Sequence, residues 1–311
     1  MRSRATAFAP ASVGNVAVGF DVLGHSVQAI GDRVTARSVA GKDARIVSIT
    51  GVVENLPLDV EKNTAGMAVL SLLRECNPGF GVELSIEKGI PLGSGLGGSA
   101  ASAVAAVVAV GALLETPLSK LELLKHAMQG EAVASGSVHV DNIAPSLFGG
   151  LVLTVGIDHP QVKQIPVPAT VRCVLVHPHM MLSTREARQI LKRTVELSDV
   201  IWQSANLAGF LTGCFTDDLN LIRGSLEDVV IEPQRQVLIP GFKAVKAGAM
   251  NNRALGCSIS GAGPTVFAWC EAQDAERIRD AMVQGFTEQA LPSDAWISSL
   301  EPVGARVVEL V

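Results

Sequence analysis

The sequence predicts an α+β fold built from two units. Strand-like and helix-like stretches mix without the regular strand–helix–strand alternation of a doubly wound sheet. A stretch with two prolines and little periodicity, Asp158–Thr170, lies mid-chain and reads as a linker. The chain has 311 residues, of which 48% are apolar and 18% charged, enough for two folded domains and the opposite of a disordered balance. The expected units are therefore residues 1–158 and 170–311. With no Tyr, the core must be built from Ala, Val, Leu and Ile.

Three short β-rich stretches open the chain, at Arg4–Ala9, Gln28–Arg37 and Ala44–Thr50, separated by Gly, Pro and Asp turns. Thr64–Arg74 has helical apolar spacing and stops before Asn77-Pro78-Gly79. Gly81–Glu87 reads as a strand with Val82, Leu84 and Ile86 on one face. A glycine-rich loop follows, then a buried helix at Ser99–Leu114 and an amphipathic helix at Ser119–Ala134. Gly150–Val155 reads as a strand. After the linker come a strand at Val171–Val176 and a helix at Ser183–Leu191 that Ser183 or Thr184 can cap. Ile201–Thr212, Leu219–Leu226 and Lys243–Asn251 read as helices. Gly256–Ser260, Thr265–Trp269 and Ala305–Leu310 read as strands, and Ala272–Phe286 as a helix.

Bulk properties narrow the function. A net charge of −5 offers no electrostatic footprint for nucleic acid. Five cysteines, at positions 76, 173, 214, 257 and 270, form no CxxC pair, and their odd number argues against a disulfide framework. No apolar run follows the basic start Met-Arg-Ser-Arg, so no signal peptide is expected. The longest apolar run, Ala100–Leu114, is short for a membrane span and rich in Ala, so a buried helix is the better reading. A cytoplasmic protein without a membrane partner is the expectation.

Pro91-Leu92-Gly93-Ser94-Gly95-Leu96-Gly97-Gly98-Ser99-Ala100-Ala101-Ser102 is the most informative segment. Four glycines in six residues let a backbone pass close to a ligand with successive N–H groups turned inward. The helix that starts directly after it offers unpaired N–H groups and a positive dipole end. That is the chemistry of a polyphosphate cradle. Gly93, Gly95 and Gly98 also fit the dinucleotide fingerprint, but a second helix rather than a strand follows the first. A Walker A loop needs a lysine after its last glycine, and Ser99 stands there. The partner motifs of a protein kinase do not occur. A plain Gly/Ser turn between a strand and a buried helix is the alternative.

This loop resembles the phosphate loop of the GHMP kinases, the family of galactokinase, homoserine kinase, mevalonate kinase and phosphomevalonate kinase. The usual form has Ser where this chain has Gly98, a departure that removes a hydroxyl and keeps the backbone path. Ala9-Pro10-Ala11-Ser12-Val13-Gly14-Asn15 through Asp21 resembles the family's N-terminal motif, and Gly256–Thr265 its C-terminal one. Asn15…Gly19-Phe20-Asp21, Gly136–Pro145, Ser183–Arg188 and Glu232–Phe242 are similar to the homoserine-phosphorylating branch. Another member acting on a mevalonate-like or sugar-like alcohol, or a non-catalytic binder on the same fold, are the rivals.

The resemblance implies an N-terminal ATP-loop domain and a C-terminal ferredoxin-like domain, with a cleft between them and a last strand able to return to the first domain. It implies ATP-dependent phosphorylation of the hydroxyl of L-homoserine in threonine biosynthesis, and it leaves a homodimer open. The phosphates would lie on residues 91–102. Mg²⁺ would be held by Ser99 and Glu131, hard oxygen donors suited to that ion. Asn63 would reach adenine. Asp21 and Asn15 would take the ammonium and hydroxyl end, and Arg188 and Arg235 the carboxylate, where planar guanidinium forks fit. Thr184, His139 and Asn142 would complete the pocket. Asn15 and Asn142 would orient the hydroxyl, with no strong side-chain base.

Overall fold

The computed structural model describes residues 2–135, 139–156 and 160–311. Its first part contains β1 (Arg4–Gly14), β2 (Leu23–Val39), β3 (Ala44–Gly51), α1 (Thr64–Cys76), β4 (Gly81–Lys88), α2 (Gly98–Gly111), α3 (Lys120–Ser135), α4 (Val140–Phe148), β5 (Leu151–Val155) and β6 (Gln161–Ile165). The second part follows with β7 (Val171–Pro178), α5 (Thr184–Gln189), α6 (Leu197–Thr216), α7 (Leu219–Ser225), α8 (Glu232–Arg235) and α9 (Phe242–Asn251). It closes with β8 (Gly256–Ile259), β9 (Val266–Glu271), α10 (Ala275–Thr287), β10 (Ser293–Ser299) and β11 (Arg306–Leu310).

Two sheets result. The larger runs β11-β1-β2-β4-β3, with β5 and β6 attached beside β2. The smaller is wholly antiparallel in the order β10-β7-β9-β8, the ferredoxin-like arrangement of a βαββαβ unit. The last strand, β11, leaves the second unit and pairs with β1, Ala5 opposite Leu310.

Period-two patterning explains how the layers stack. On β1, Ala5, Ala7, Ala9, Ala11 and Val13 all point into the core, where small side chains let α2 approach the sheet closely. Residues 100–110 of α2 are buried on every side, so this helix is the axis of the first unit. In the second sheet the alternation divides two cores. Cys173, Leu175, Phe267 and Trp269 join the core of the first unit. Their neighbours Val174, Val176, Val266 and Ala268 face α9 and α10. The small sheet is thus buried on both faces, which fixes the cleft between the units. No helix among the described residues is long and apolar enough to cross a membrane.

Four differences from the sequence reading have physical causes. Residues 161–165, inside the expected linker, form an edge strand on β5, and an edge strand needs few buried side chains; only Ile165 is buried. Asp158 and His159 lie outside the described residues, as do Gly136–Val138 of the branch motif. Helix α4 carries Pro145 inside it, which hides its helical pattern. Strand β10 contains Ser293, Asp294, Ser298 and Ser299 because it too is an edge. Strands β1 and β2 extend to Gly14 and from Leu23, past a register shift at Pro10/Ala11 where residues 28–30 of β2 bulge out of the pairing and break the alternation of β2.

One hydrogen bond joins the two sheets at depth. Trp269 Nε1 on β9 donates to His25 Nε2 on β2 at 3.2 Å, and both residues are fully buried. Burial pushes the His25 pKa down to about 4, which keeps the ring neutral and Nε2 an acceptor. Trp269→Phe should therefore leave a buried acceptor without a donor and cost about 1–3 kcal/mol. A urea titration should show a lower midpoint with an unchanged slope.

Candidate active site

The glycine loop joins β4 to α2 and is held by its carbonyls. Leu182 N donates to Gly93 O at 3.1 Å, Thr265 Oγ1 to Ser94 O at 2.6 Å and Ser260 Oγ to Gly95 O at 2.7 Å. Ser12 N donates to Leu96 O at 3.0 Å, Ala101 N to Gly97 O at 2.9 Å and Lys88 Nζ to Gly98 O at 2.8 Å. Every carbonyl from 93 to 98 is accepting, with donors from both units of the fold. Among the described residues, no N–H of 93–100 is donated to a protein acceptor. Helix α2 has Gly97 as N-cap and no side-chain cap, so its first-turn amides add to the same array.

Backbone angles produce this arrangement. Gly93, Gly95 and Gly97 have φ of 62°, 77° and 66°, left-handed values at alternate residues that turn successive amides to one side. A Cβ on Gly95 would lie 2.5 Å from Ser260 O, and one on Gly97 2.2 Å from Ser12 Oγ. Leu96, Ala100 and Ala101 are fully buried and do not line the cavity, unlike the other loop residues. They anchor the loop from behind, and of their three amides that of Ala101 is already donated to Gly97 O.

Behind the loop, Lys88 and Asp32 form a buried ion pair that the sequence reading missed. Asp32 also accepts from Ser102 Oγ at 2.6 Å and from Gly89 N at 3.0 Å, and Lys88 Nζ also contacts Ser102 Oγ at 2.7 Å. The pair ties β2, β4 and α2 together under the loop. Such a pair is recognisable only once β2 and β4 are known to be neighbours.

The loop opens on a cavity of about 690 Å³ lined from both units. At one wall, Ser99 Oγ donates to Glu131 Oε1 at 3.0 Å. Burial pushes the Glu131 carboxyl up to about 7, against the Ser99 hydrogen bond and the Lys88 charge. Asn63 lines the cavity too, but its Oδ1 caps α1 at Ala65 N, 3.0 Å, and its Nδ2 donates to Pro57 O at 3.0 Å. One N–H remains for a ligand.

The same cavity gathers the other predicted residues. The turn between β1 and β2 takes left-handed φ at Asn15, Val16, Ala17 and Asp21, strain that a β-branched residue rarely bears. Asn15 braces it: Oδ1 accepts from Asp21 N at 3.0 Å and Nδ2 donates to Gly261 O at 2.9 Å. Asn142 Oδ1 accepts from Ser12 Oγ at 2.9 Å. Thr184 opens α5, one turn before Arg188, on the cavity wall. Arg235 is buried and tethered to Ala187 O at 2.9 Å and Gly261 O at 3.0 Å, and Gly261 O also accepts from Asn15 Nδ2, so the turn between β8 and β9 serves both units.

Two features there were not expected. Arg188 Nη2 donates to both carboxylate oxygens of Asp21, at 2.8 and 3.0 Å, so these two residues pair with each other. Phe20 lies under both guanidinium groups, 5.4 Å from Arg188 and 5.2 Å from Arg235. Its ring face offsets the repulsion of two adjacent cations. Burial and the Arg188 charge lower the His139 pKa, and burial followed by Asp21 pushes the neighbouring Asp141 carboxyl up to about 7. Arg188 and Arg235 could be singled out in the sequence; Phe20 and Asp141 carried no separate signal.

A glycine loop with unengaged amides, a buried acid beside it and an arginine pair line one cleft, an arrangement that suits a nucleotide-dependent transferase acting on a small anionic or zwitterionic molecule. The chain belongs to the GHMP kinase family, in its homoserine kinase branch. Residues 63–150 match the GHMP kinases N terminal domain, and residues 210–288 the GHMP kinases C terminal. It is 49% identical to a homoserine kinase of Xylella fastidiosa, over 98% of this chain and 94% of that protein. It is 42% identical to a homoserine kinase of Chlorobium phaeobacteroides, over 97% and 99%. The crystal structure of a homoserine kinase from Cytophaga hutchinsonii superposes with a TM-score of 0.96 at 43% identity, covering 99% of this chain and 98% of that one. L. major mevalonate kinase shares the fold, with a TM-score of 0.70 at 16% identity, over 96% of each chain.

Two outcomes follow from this geometry. Gly97→Ala should weaken binding of a non-hydrolysable ATP analogue at least about tenfold by calorimetry, since it adds a left-handed strain of ~1 kcal/mol or more to a clash with the Ser12 hydroxyl that clamps the loop. The raised Glu131 and Asp141 carboxyls bind protons more tightly folded than unfolded. The ligand-free protein should therefore lose stability as pH rises from about 4.5 to about 7. Thermal melts across that window should show a falling Tm, and Glu131→Gln should flatten the fall.

Proposed function

We propose that this chain transfers the γ-phosphoryl group of ATP to the side-chain hydroxyl of L-homoserine, giving O-phospho-L-homoserine and ADP for threonine biosynthesis. The observation that carries this assignment is the pairing of unengaged loop amides with two guanidiniums across one cavity. A polyphosphate fits the first and a carboxylate the second, and residues of both sets line the same cavity.

The loop amides of 93–100 and the front of α2 would bind the phosphates and neutralise charge that spreads over the transferred group. Ser99 and Glu131 fit a Mg²⁺ ion: both are oxygen donors, they touch each other, and a carboxyl pushed up to about 7 by burial gains from a nearby cation. Bound there, the ion would offset phosphate charge. Arg188 and Arg235 would hold the substrate carboxylate, with Thr184 beside them. Asp21 would hold the ammonium, with His139 on the same wall. Asn142, fixed by Ser12, and Asn15 would orient the hydroxyl toward the phosphoryl group. Positioning of this kind accounts for most of the rate in a loose phosphoryl transfer. The Asp32–Lys88 pair lies beneath the loop with its groups directed at Gly98 O and Ser102, which suits shaping the cradle. The hydroxyl proton would leave late, to the phosphate itself.

A coupled ADP-release assay with L-homoserine, L-serine, L-threonine and mevalonate tests the assignment. L-homoserine should be turned over with the highest kcat/KM; a preference for mevalonate would overturn it. Arg235→Met should raise the KM for L-homoserine at least about tenfold, the loss of a charge-assisted hydrogen bond. Glu131→Gln should raise the Mg²⁺ concentration needed for half-maximal rate.

A further inference from the structure

The substrate end of the cavity already contains an ion pair made of the two groups a zwitterion would use. Arg188 Nη2 is bidentate on Asp21, while the buried Nε of Arg188 has no protein partner among the described residues. Beside Asp21 stands Asp141, 2% exposed and on the cavity wall. It accepts from the backbone N–H of Asn15, and its Oδ1 has no protein partner among the described residues. A buried carboxyl oxygen left this way is costly, so its surroundings favour an incoming donor. Ligand atoms of Asp21, His139 and Asp141 lie within 4.8 Å of one another. One ammonium with ordinary hydrogen bonds of about 2.8 Å can reach two oxygens at that separation. Burial and the Asp21 charge hold the Asp141 carboxyl high, so a cation beside it would be favoured.

We propose that the substrate binds by ion-pair exchange: its ammonium docks between Asp21 and Asp141, Asp21 lets go of Arg188, and the released guanidinium joins Arg235 on the substrate carboxylate. Asp141 is then a specificity-determining residue for zwitterions, an inference that rests on the amino-acid alcohol assignment above. The exchange makes the two substrate charges cooperative. A ligand with only the carboxylate draws Arg188 away and strands Asp21 beside Asp141. A ligand with only the ammonium draws Asp21 away and leaves two guanidiniums side by side. Each half-ligand therefore loses more than its missing contact.

The test compares kcat/KM for L-homoserine and 4-hydroxybutanoate in the full-length chain and in Asp141→Asn, a near-isosteric change. The ratio of homoserine to hydroxybutanoate should fall at least about tenfold, about the worth of one hydrogen bond to a charged group, because only the ammonium-bearing ligand loses its partner. Equal losses with both alcohols, or an unchanged ratio, would overturn the exchange. If Asp141→Asn does not fold, Asp21→Asn decides by the same ratio, which should also narrow. Wild-type preference for 4-hydroxybutanoate over L-homoserine would instead remove the functional assignment itself, and the exchange with it.

Discussion

The structure depends on one constraint: the backbone of residues 93–98 is fixed through its carbonyls, so its amides are left to face the cleft. Six consecutive carbonyls accept hydrogen bonds, and the donors come from β1, β4, α2, the segment before α5 and the β8–β9 turn. A peptide group held by its oxygen has its N–H aimed the other way. The cradle is therefore a product of the whole fold, since removing either unit would release half of its clamps. The small sheet, buried on both faces, keeps those clamps in register with the loop.

Charge is arranged on the same scaffold. The glycine loop has a buried acid beside its outward amides, and the same cavity holds two guanidiniums over one phenyl ring with two carboxyls beside them. Glu131 and Asp141 are both held near neutrality by burial, a condition that favours cationic partners. Strain is concentrated nearby, in the left-handed run at Asn15–Ala17, and Asn15 ties that run to the second unit through Gly261.

Much of this was legible in the chain, and the pattern of what was not is physical. The loop and the buried helix after it were readable because glycine spacing and all-round apolarity are local properties, whereas the arginines were singled out by the family resemblance and not by residue type alone. The edge strands β6 and β10 were not, since an edge buries few side chains. Helix α4 was hidden by Pro145. Asp32, Lys88 and Asp141 are ordinary polar residues until tertiary packing brings β2 under α2 and α4 against the β1–β2 turn. Asn63 shows the converse: residue type and position suggested a ligand contact, and the fold uses its amide oxygen to cap α1 and one of its N–H groups on Pro57 O.

Amide hydrogen exchange of residues 93–100, read with and without a saturating ATP analogue, tests the central claim most directly. Exchange in that segment should slow markedly when the nucleotide binds, while the surrounding strands change little. Binding that leaves those amides exchanging at their unliganded rate would contradict it.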